Sequence, residues 1–251
     1  MFGDPHVITL DGRNYTFNGL GEYTLINVKD NFFELQARTK IAKGGGTATV
    51  FSGAVAKEHN TSIVQCNLKE EGEKCFDSNN IMIREVNFAL NQPAHTTMRR
   101  NLRKLPRVAF CSTSILLHSC AIQLFLLYFY VVLVLTGGLE VLVDGQIFQE
   151  FYSLTNVSVI LNDSVAVSRP HGNSFLVTFP SGISVTVTDI QGSLSIVFAA
   201  PLSFQGQTKG LLGTWNDDQE DDFLTPDGSI LPSNATGRQI HFNFGLKCKF
   251  I

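Results

Sequence analysis

The densest charge in this sequence falls within "GLLGTWNDDQEDDFLTPDGSILP", residues 210–232. From Asn216 to Asp222 the chain places Asp217, Asp218, Glu220, Asp221 and Asp222, five acids in seven positions. Two carboxylates about 5 Å apart repel by roughly 1 kcal/mol in water, and several-fold more beside protein. A hard cation removes that cost, and Ca2+ takes its ligands from carboxylates, Asn amides and backbone carbonyls. The spacing is not that of an EF-hand, which needs Gly at its sixth position; counted from Asn216, that position is Asp221. Acidic runs also occur as solvated turns. Here Leu211, Leu212, Trp215 and Phe223 bracket the acids. Apolar anchors on both sides imply a fixed loop, and a fixed acidic loop wants a counter-ion.

A second reactive run opens the chain. Gly3-Asp4-Pro5-His6 contains an Asp-Pro bond, the most acid-labile type of peptide bond, directly before what reads as the first strand. The same dipeptide serves as an ordinary turn before a strand. No other constellation points to catalysis. There is no G-x-S-x-G elbow, no H-E-x-x-H and no P-loop, and the six histidines are scattered. A hydrolytic enzyme is therefore the weaker reading: the only dense acids have a better use as cation ligands.

The elements that must position these residues are strands. Residues 6–10, 14–18 and 22–28 alternate apolar and polar side chains, separated by Asp11-Gly12 and by Gly19 to Gly21. Residues 32–38, 47–57 and 61–67 continue the pattern. It resumes at 139–144 and 146–150, which flank the hairpin pair Asp144-Gly145, and then at 157–161, 164–169, 174–180, 183–189 and 193–199. Many short strands at this spacing predict an all-β fold, a twisted antiparallel β-sandwich.

Composition breaks between the two blocks. No acid occurs from Val86 to Leu139, and Arg99, Arg100, Arg103, Lys104 and Arg107 cluster ahead of "ILLHSCAIQLFLLYFYVVLVL", residues 115–135. An uncharged run of that length suits a membrane span, and a single-pass membrane protein is the alternative reading. Yet both halves share one β grammar, and a sheet cannot be assembled across a bilayer. Residues 75–137 are therefore read as a basic and hydrophobic insert foreign to the fold, an artefact of the gene model. The expected organisation is 1–74 and 138–246 as two parts of one domain, with 247–251 a truncated tail.

Net charge is −3, with 19 basic and 22 acidic residues, which argues against nucleic acid as a partner. Five N-x-[ST] acceptors, at Asn14, Asn60, Asn156, Asn162 and Asn234, favour a secreted glycoprotein, although Ser/Thr-rich β proteins also generate such triplets. No signal peptide is visible, so the chain is expected to be a piece of a longer secreted protein. Cys66, Cys75, Cys111, Cys120 and Cys248 contain no CxxC pair and are too few for a dense disulfide framework; Cys66 and Cys75 are close enough in sequence for a local bridge.

Two motifs together resemble a known family. Gly3-Asp4-Pro5-His6, Leu10-Asp11-Gly12, Tyr15-Thr16-Phe17 and Gly21-Glu22-Tyr23 are similar to the opening of a von Willebrand factor type D domain. Gly210-Leu211-Leu212-Gly213-Thr214-Trp215-Asn216, followed by Glu220-Asp221-Asp222-Phe223, is similar to that domain's closing calcium loop. The form with Leu212 in place of Cys, and with a late His241-Phe242-Asn243-Phe244-Gly245, resembles the membrane-mucin type. The likeness covers roughly 1–70 and 138–246.

The resemblance implies an extracellular structural or adhesive module of a cell-surface or secreted glycoprotein. Its partners would be the other domains of that protein, matrix proteins or cell-surface proteins. It implies a Ca2+ ion held by Asp11, Asn216, Asp218 (through its carbonyl), Asp221 and Asp222. It also implies self-cleavage at Asp4-Pro5. The Asp4 carboxyl would attack its own main-chain carbonyl to form a cyclic anhydride, and the Pro5 nitrogen would leave as a protonated amine. Water then opens the anhydride, and His6 would sense or donate protons in a mildly acidic compartment.

Overall fold

Alternation lets a strand bury one face and solvate the other, and β-branched and aromatic side chains fill the pleat. In the computed structural model, which describes residues 5–44, 46–69, 138–149, 151 and 158–249, this pattern becomes strands almost where the sequence places them. The first block forms β1 (His6–Ile8), β2 (Asn14–Thr16), β3 (Glu22–Val28), β4 (Phe33–Ile41), β5 (Thr49–Glu58) and β6 (Val64–Leu68). The second forms β7 (Leu139–Val143), β8 (Gln146–Ile147), β9 (Ser158–Ile160), β10 (Ala166–Ser168), β11 (Ser174–Thr178), β12 (Ser184–Asp189), β13 (Leu194–Ala199) and β14 (Thr208–Lys209). The chain divides into two compact units, Met1–Glu70 with Gly137–Ile251, and Glu71–Thr136; the second lies outside the described residues.

The described unit contains three antiparallel sheets. One has seven strands in the order β14-β3-β4-β5-β6-β7-β8, one has five in the order β13-β12-β11-β10-β9, and β1 pairs with β2. The two larger sheets share the core. In β4, Phe33, Leu35 and Ala37 are buried while Glu34 and Arg38 point the other way. Phe33 meets Phe179 edge-on at 5.2 Å and Phe198 at 5.7 Å, so aromatic rings from both sides interlock at the centre. Cys66, which the sequence allowed to bridge to Cys75, is a free thiol buried on this core face, and burial pushes its pKa up.

Strands β6 and β7 flank the undescribed unit and pair directly, from Val64 opposite Val143 to Leu68 opposite Leu139. The Lys69 amide donates to the Gly138 carbonyl at 2.8 Å, so the two ends of that stretch sit side by side. Among the described residues no helix is long and apolar enough to cross a membrane, and 115–135 lies outside them.

The all-β expectation needs one correction. Residues 237–248 are helical: an α turn (Gly237–Gln239) runs into a π-type turn (Ile240–Phe244) and a 3-10 turn (Gly245–Cys248). Thr236 and Gln239 close its start with a capping box. Ile240 and Phe244 are buried one turn apart, whereas Phe242 between them is 54% exposed. Local capping overrides the alternation that Ile240, Phe242 and Phe244 present in the sequence.

The outer edge of β3 positions the acidic loop. β14 pairs with Val28 and Asn27. Next, the Leu211 and Leu212 amides donate to the Thr24 and Leu25 carbonyls at 3.1 and 2.8 Å, and Lys249 bridges to Tyr23. Gly210, at φ +126°, permits this approach: a Cβ there would lie 2.8 Å from the Leu25 oxygen. On its other side Leu212 accepts from the Leu10 amide at 2.9 Å, which ties the β1–β2 ribbon to the large sheet.

Candidate metal centre

The connection between β1 and β2 is a closed turn. The Thr9 amide donates to the Arg13 carbonyl at 2.9 Å, Gly12 donates to the Thr9 carbonyl at 3.1 Å, and the Arg13 amide donates to Thr9 Oγ1 at 2.8 Å. Asp11 stands at its tip, and its carboxylate accepts the amides of Asn216 at 3.0 Å and Asp217 at 3.0 Å. The Gln219 side chain donates to the Asp11 carbonyl at 2.7 Å. A turn near the start of the domain thus grips a loop some 205 residues later.

The loop is also braced from within. Asn216 Oδ1 accepts the Asp218 amide at 3.0 Å, Asn216 Nδ2 donates to Asp221 Oδ2 at 2.7 Å, and Asp218 Oδ1 accepts the Glu220 amide at 2.9 Å. Short polar side chains commonly hold turns in this way. Asn216, Asp217, Asp218 and Glu220 are exposed, and Asp11 and Asp221 are half-buried. Asp222 is fully buried. Its Oδ2 accepts the Thr9 hydroxyl at 2.8 Å, whereas its Oδ1, like Asp221 Oδ1, is buried with no hydrogen-bond partner. An orphaned carboxylate oxygen is costly in a protein interior.

Burial pushes the Asp222 carboxyl up to about 6; the Thr9 hydrogen bond opposes this, the charges of Asp11 and Asp221 raise it further, and Arg13 lowers it. Burial is thus the main cost to the ionised Asp222, and the neighbouring acids add to it. Arg13 offsets part of it from the flank. Its guanidinium donates to the Gln219 carbonyl at 2.7 Å and to the Ser233 carbonyl, and lies 4.2 Å above the Phe223 ring.

Beneath the loop is an aromatic floor. Tyr15 meets Phe223 at 5.2 Å and Phe244 at 6.1 Å, Phe223 meets Phe244 at 5.1 Å, and the Tyr15 hydroxyl donates to the Leu211 carbonyl at 2.5 Å. Burial, with the neighbouring Cys248 and Asp222, raises the Tyr15 pKa well above its ordinary value. The Trp215 amide donates to Thr208 Oγ1 at 2.7 Å, which fixes the loop's entry against β14.

The five candidate ligands Asp11, Asn216, Asp218, Asp221 and Asp222 thus fall in one hydrogen-bonded cluster. Among the described residues, no three His, Cys, Asp or Glu side chains are gathered closely enough to hold an ion on their own. Asp11, Asp218 and one oxygen of Asp221 face N–H donors instead, and an ion there would draw on the Asn216 amide and on carbonyls as well as on acids. Thr9, Arg13 and Gln219 were not singled out in the sequence. Nothing local marks them, because their partners lie more than 200 residues away.

At the other candidate site, Asp4 lies outside the described residues. Pro5 is buried, and its carbonyl accepts the Phe17 amide at 3.1 Å, which extends the β1–β2 ladder by one residue. His6 is exposed, with Nδ1 3.2 Å from Thr16 Oγ1. Of the sequon asparagines, Asn14, Asn60, Asn162 and Asn234 are all exposed, and Asn156 is outside the described residues.

The chain matches the von Willebrand factor type D domain over residues 1–103 and 107–229. These ranges run into 75–137, the stretch read from sequence as foreign, which is not among the described residues. Human mucin-4 is 27% identical over 98% of the chain, the protein mesh of Bombyx mori 30% over 92%, and human sushi domain-containing protein 2 28% over 97%. The chain spans only 4%, 11% and 22% of the length of those three relatives.

Proposed function

Because the chain belongs to the von Willebrand factor type D domain family, we propose that it is an extracellular, calcium-binding structural or adhesive module of a larger, mucin-4-like glycoprotein. The observation that carries this reading is the pair of buried, unpartnered carboxylate oxygens on Asp221 and Asp222, beside an Asp11 anchored from the far end of the chain. A hard divalent cation is the partner such oxygens lack. Asp11, Asn216, Asp218 through its carbonyl, Asp221 and Asp222 would hold it. When bound, Ca2+ supplies the positive charge that lets these acids stay ionised together.

The role of the chain's own residues is architectural. The β1–β2 turn presents Asp11, β3 suspends the loop through Leu211 and Leu212, and the aromatic floor keeps water from beneath it. Binding would lock the two ends of the fold together and stabilise it by mass action, by about 2.7 kcal/mol at a hundredfold excess over Kd. Thermal unfolding with added calcium and with chelator tests the reading. The melting temperature should rise with calcium, and equal values in both conditions overturn it.

The exposed sequons and the family support a place in the secretory pathway. Proposed partners are neighbouring domains of the same glycoprotein and matrix or cell-surface proteins. Self-cleavage at Asp4-Pro5 belongs to the same proposal, as a single intramolecular turnover rather than enzymatic activity. A domain tagged at both ends and held at mildly acidic pH should yield two fragments, and Asp4→Ala should yield one species. A wild-type chain that stays intact throughout refutes it.

A further inference from the structure

The hydrogen bonds around Thr9 have a direction that the ligand set alone does not reveal. A hydroxyl carries one proton and two lone pairs. Thr9 Oγ1 accepts the Arg13 amide at 2.8 Å, and that donor cannot reverse. The Thr9 proton is therefore free to point only elsewhere, and Asp222 Oδ2 lies 2.8 Å away to take it. Thr9 is 4% exposed and Asp222 is fully buried, so water does not compete for either atom. Oδ2 is thereby occupied, and Oδ1 is left without a partner.

Gly213 closes the opposite side. It sits at φ +81°, and a Cβ there would lie 2.1 Å from Asp222 Oδ1 and 3.2 Å from Thr9 Cβ. The Asp222 carboxylate is pinned between a hydroxyl that holds one oxygen and a backbone that grazes the other.

We propose that Thr9 is a positioning residue for the cation: the relay from the Arg13 amide through the Thr9 hydroxyl to Asp222 Oδ2 turns Asp222 into a one-oxygen ligand, presenting Oδ1 alone. This rests on the calcium reading above. It adds that Ca2+ affinity is set partly by an uncharged side chain that never touches the ion. Outer-shell partners of this kind typically change metal affinity by 10–100-fold.

The single tryptophan of the chain, Trp215, lies in the same loop and serves as the reporter. Calcium is titrated into wild type, Thr9→Val and Thr9→Ser, with Trp215 emission giving Kd and a melt in chelator giving metal-free stability. Thr9→Val should weaken calcium binding by 10–100-fold, and Thr9→Ser, which keeps the hydroxyl, should restore most of it. Thr9→Val with a lowered melting temperature in chelator but an unchanged Kd would assign Thr9 a structural role only and overturn the proposal. If wild type itself shows no response to calcium in emission or melting, the calcium reading fails and takes this one with it. A wild-type measurement covers the case in which Thr9→Val does not fold. The buried Thr9 hydroxyl proton should appear in proton NMR as a slowly exchanging resonance close to the Arg13 amide, and should persist when calcium is added. Its loss on calcium binding overturns the relay.

Discussion

From Ser158 to Ala199 every strand pairs with its neighbour in sequence: β9, β10, β11, β12 and β13 form an uninterrupted antiparallel meander. The end of the molecule that carries the acidic loop is built the opposite way. There residues 9–28 meet residues 207–249: Asp11 accepts from, and Arg13 and Tyr15 donate to, partners about 200 positions away. The meander closes short loops and rests on buried apolar area, costs and gains that depend little on solution conditions. The acidic end closes the longest loops in the fold, and does so around carboxylates that repel one another. Its stability should therefore respond to cations and protons, while that of the antiparallel sheets of the body should not.

The largest effect expected comes from the body. Phe33 is fully buried and touches Phe179 and Phe198 across the core, so Phe33→Ala should cost about 3–5 kcal/mol. Urea unfolding measures it, and the loss relative to wild type should be the same in calcium as in chelator. If the difference between the two proteins shrinks when calcium is added, the two regions are not energetically distinct in the way described.

Asp222→Asn strikes the other region and should separate charge from shape. The amide can still accept from Thr9, but the buried negative charge is gone. At pH 7 in chelator the variant should be at least as stable as wild type, since an ionised carboxylate no longer has to be kept out of water. With calcium, the mass-action gain of roughly 2–3 kcal/mol should vanish. A variant that keeps its calcium response in the melt would show that Asp222 is not a ligand.

The contrast between the regions also explains what the sequence could reveal. Hairpins such as β11–β12 are legible because apolar alternation and the turn Ser181-Gly182 lie within a dozen residues of each other. The acids at 217–222 are equally visible. That Asp11 joins them is not, because no local pattern encodes a contact across 205 residues; only the family resemblance suggested it. Thr9 and Arg13 carried no signal of any kind. β14 is two residues long, too short for periodicity to register, and is defined only by its partner β3. The helical segment at 237–248 did leave a mark, the Thr236-x-x-Gln239 capping box, but the alternation of Ile240, Phe242 and Phe244 obscured it.

Protons should act on the acidic end with a definite sign. The Asp222 carboxyl is raised to about 6 in the fold, against about 3.9 for an unfolded Asp. Between these values the folded state binds the extra proton, so metal-free stability is greatest at the acid end of the window and is lost as pH rises through 6. Melts in chelator should show wild type gaining roughly 1–2 kcal/mol from pH 7 to pH 5, after allowance for solvent screening. Asp222→Asn should show none of this gain. With calcium present the trend should reverse, because protons and the ion compete for the same carboxylate.

The smallest effect tests the claim that the body is indifferent to calcium. Its loops have acidic ties too: Asp163 accepts the Ser62 amide from the β5–β6 connection and the Val165 amide of its own turn at 3.3 Å. Together these bonds outweigh the upward effect of partial burial and lower its pKa. Here a carboxylate is satisfied by N–H donors, so it has no need of an ion. Asp163→Ala should cost only about 1 kcal/mol, the net worth of such hydrogen bonds, and should leave the calcium-induced rise in melting temperature unchanged. The substitution keeps the Asn162-x-Ser164 acceptor, so glycosylation of that loop is not a confounder. A calcium response reduced along with the stability would mean that the sheets of the body and the acidic end melt as one electrostatic unit, and the distinction drawn between them would not stand.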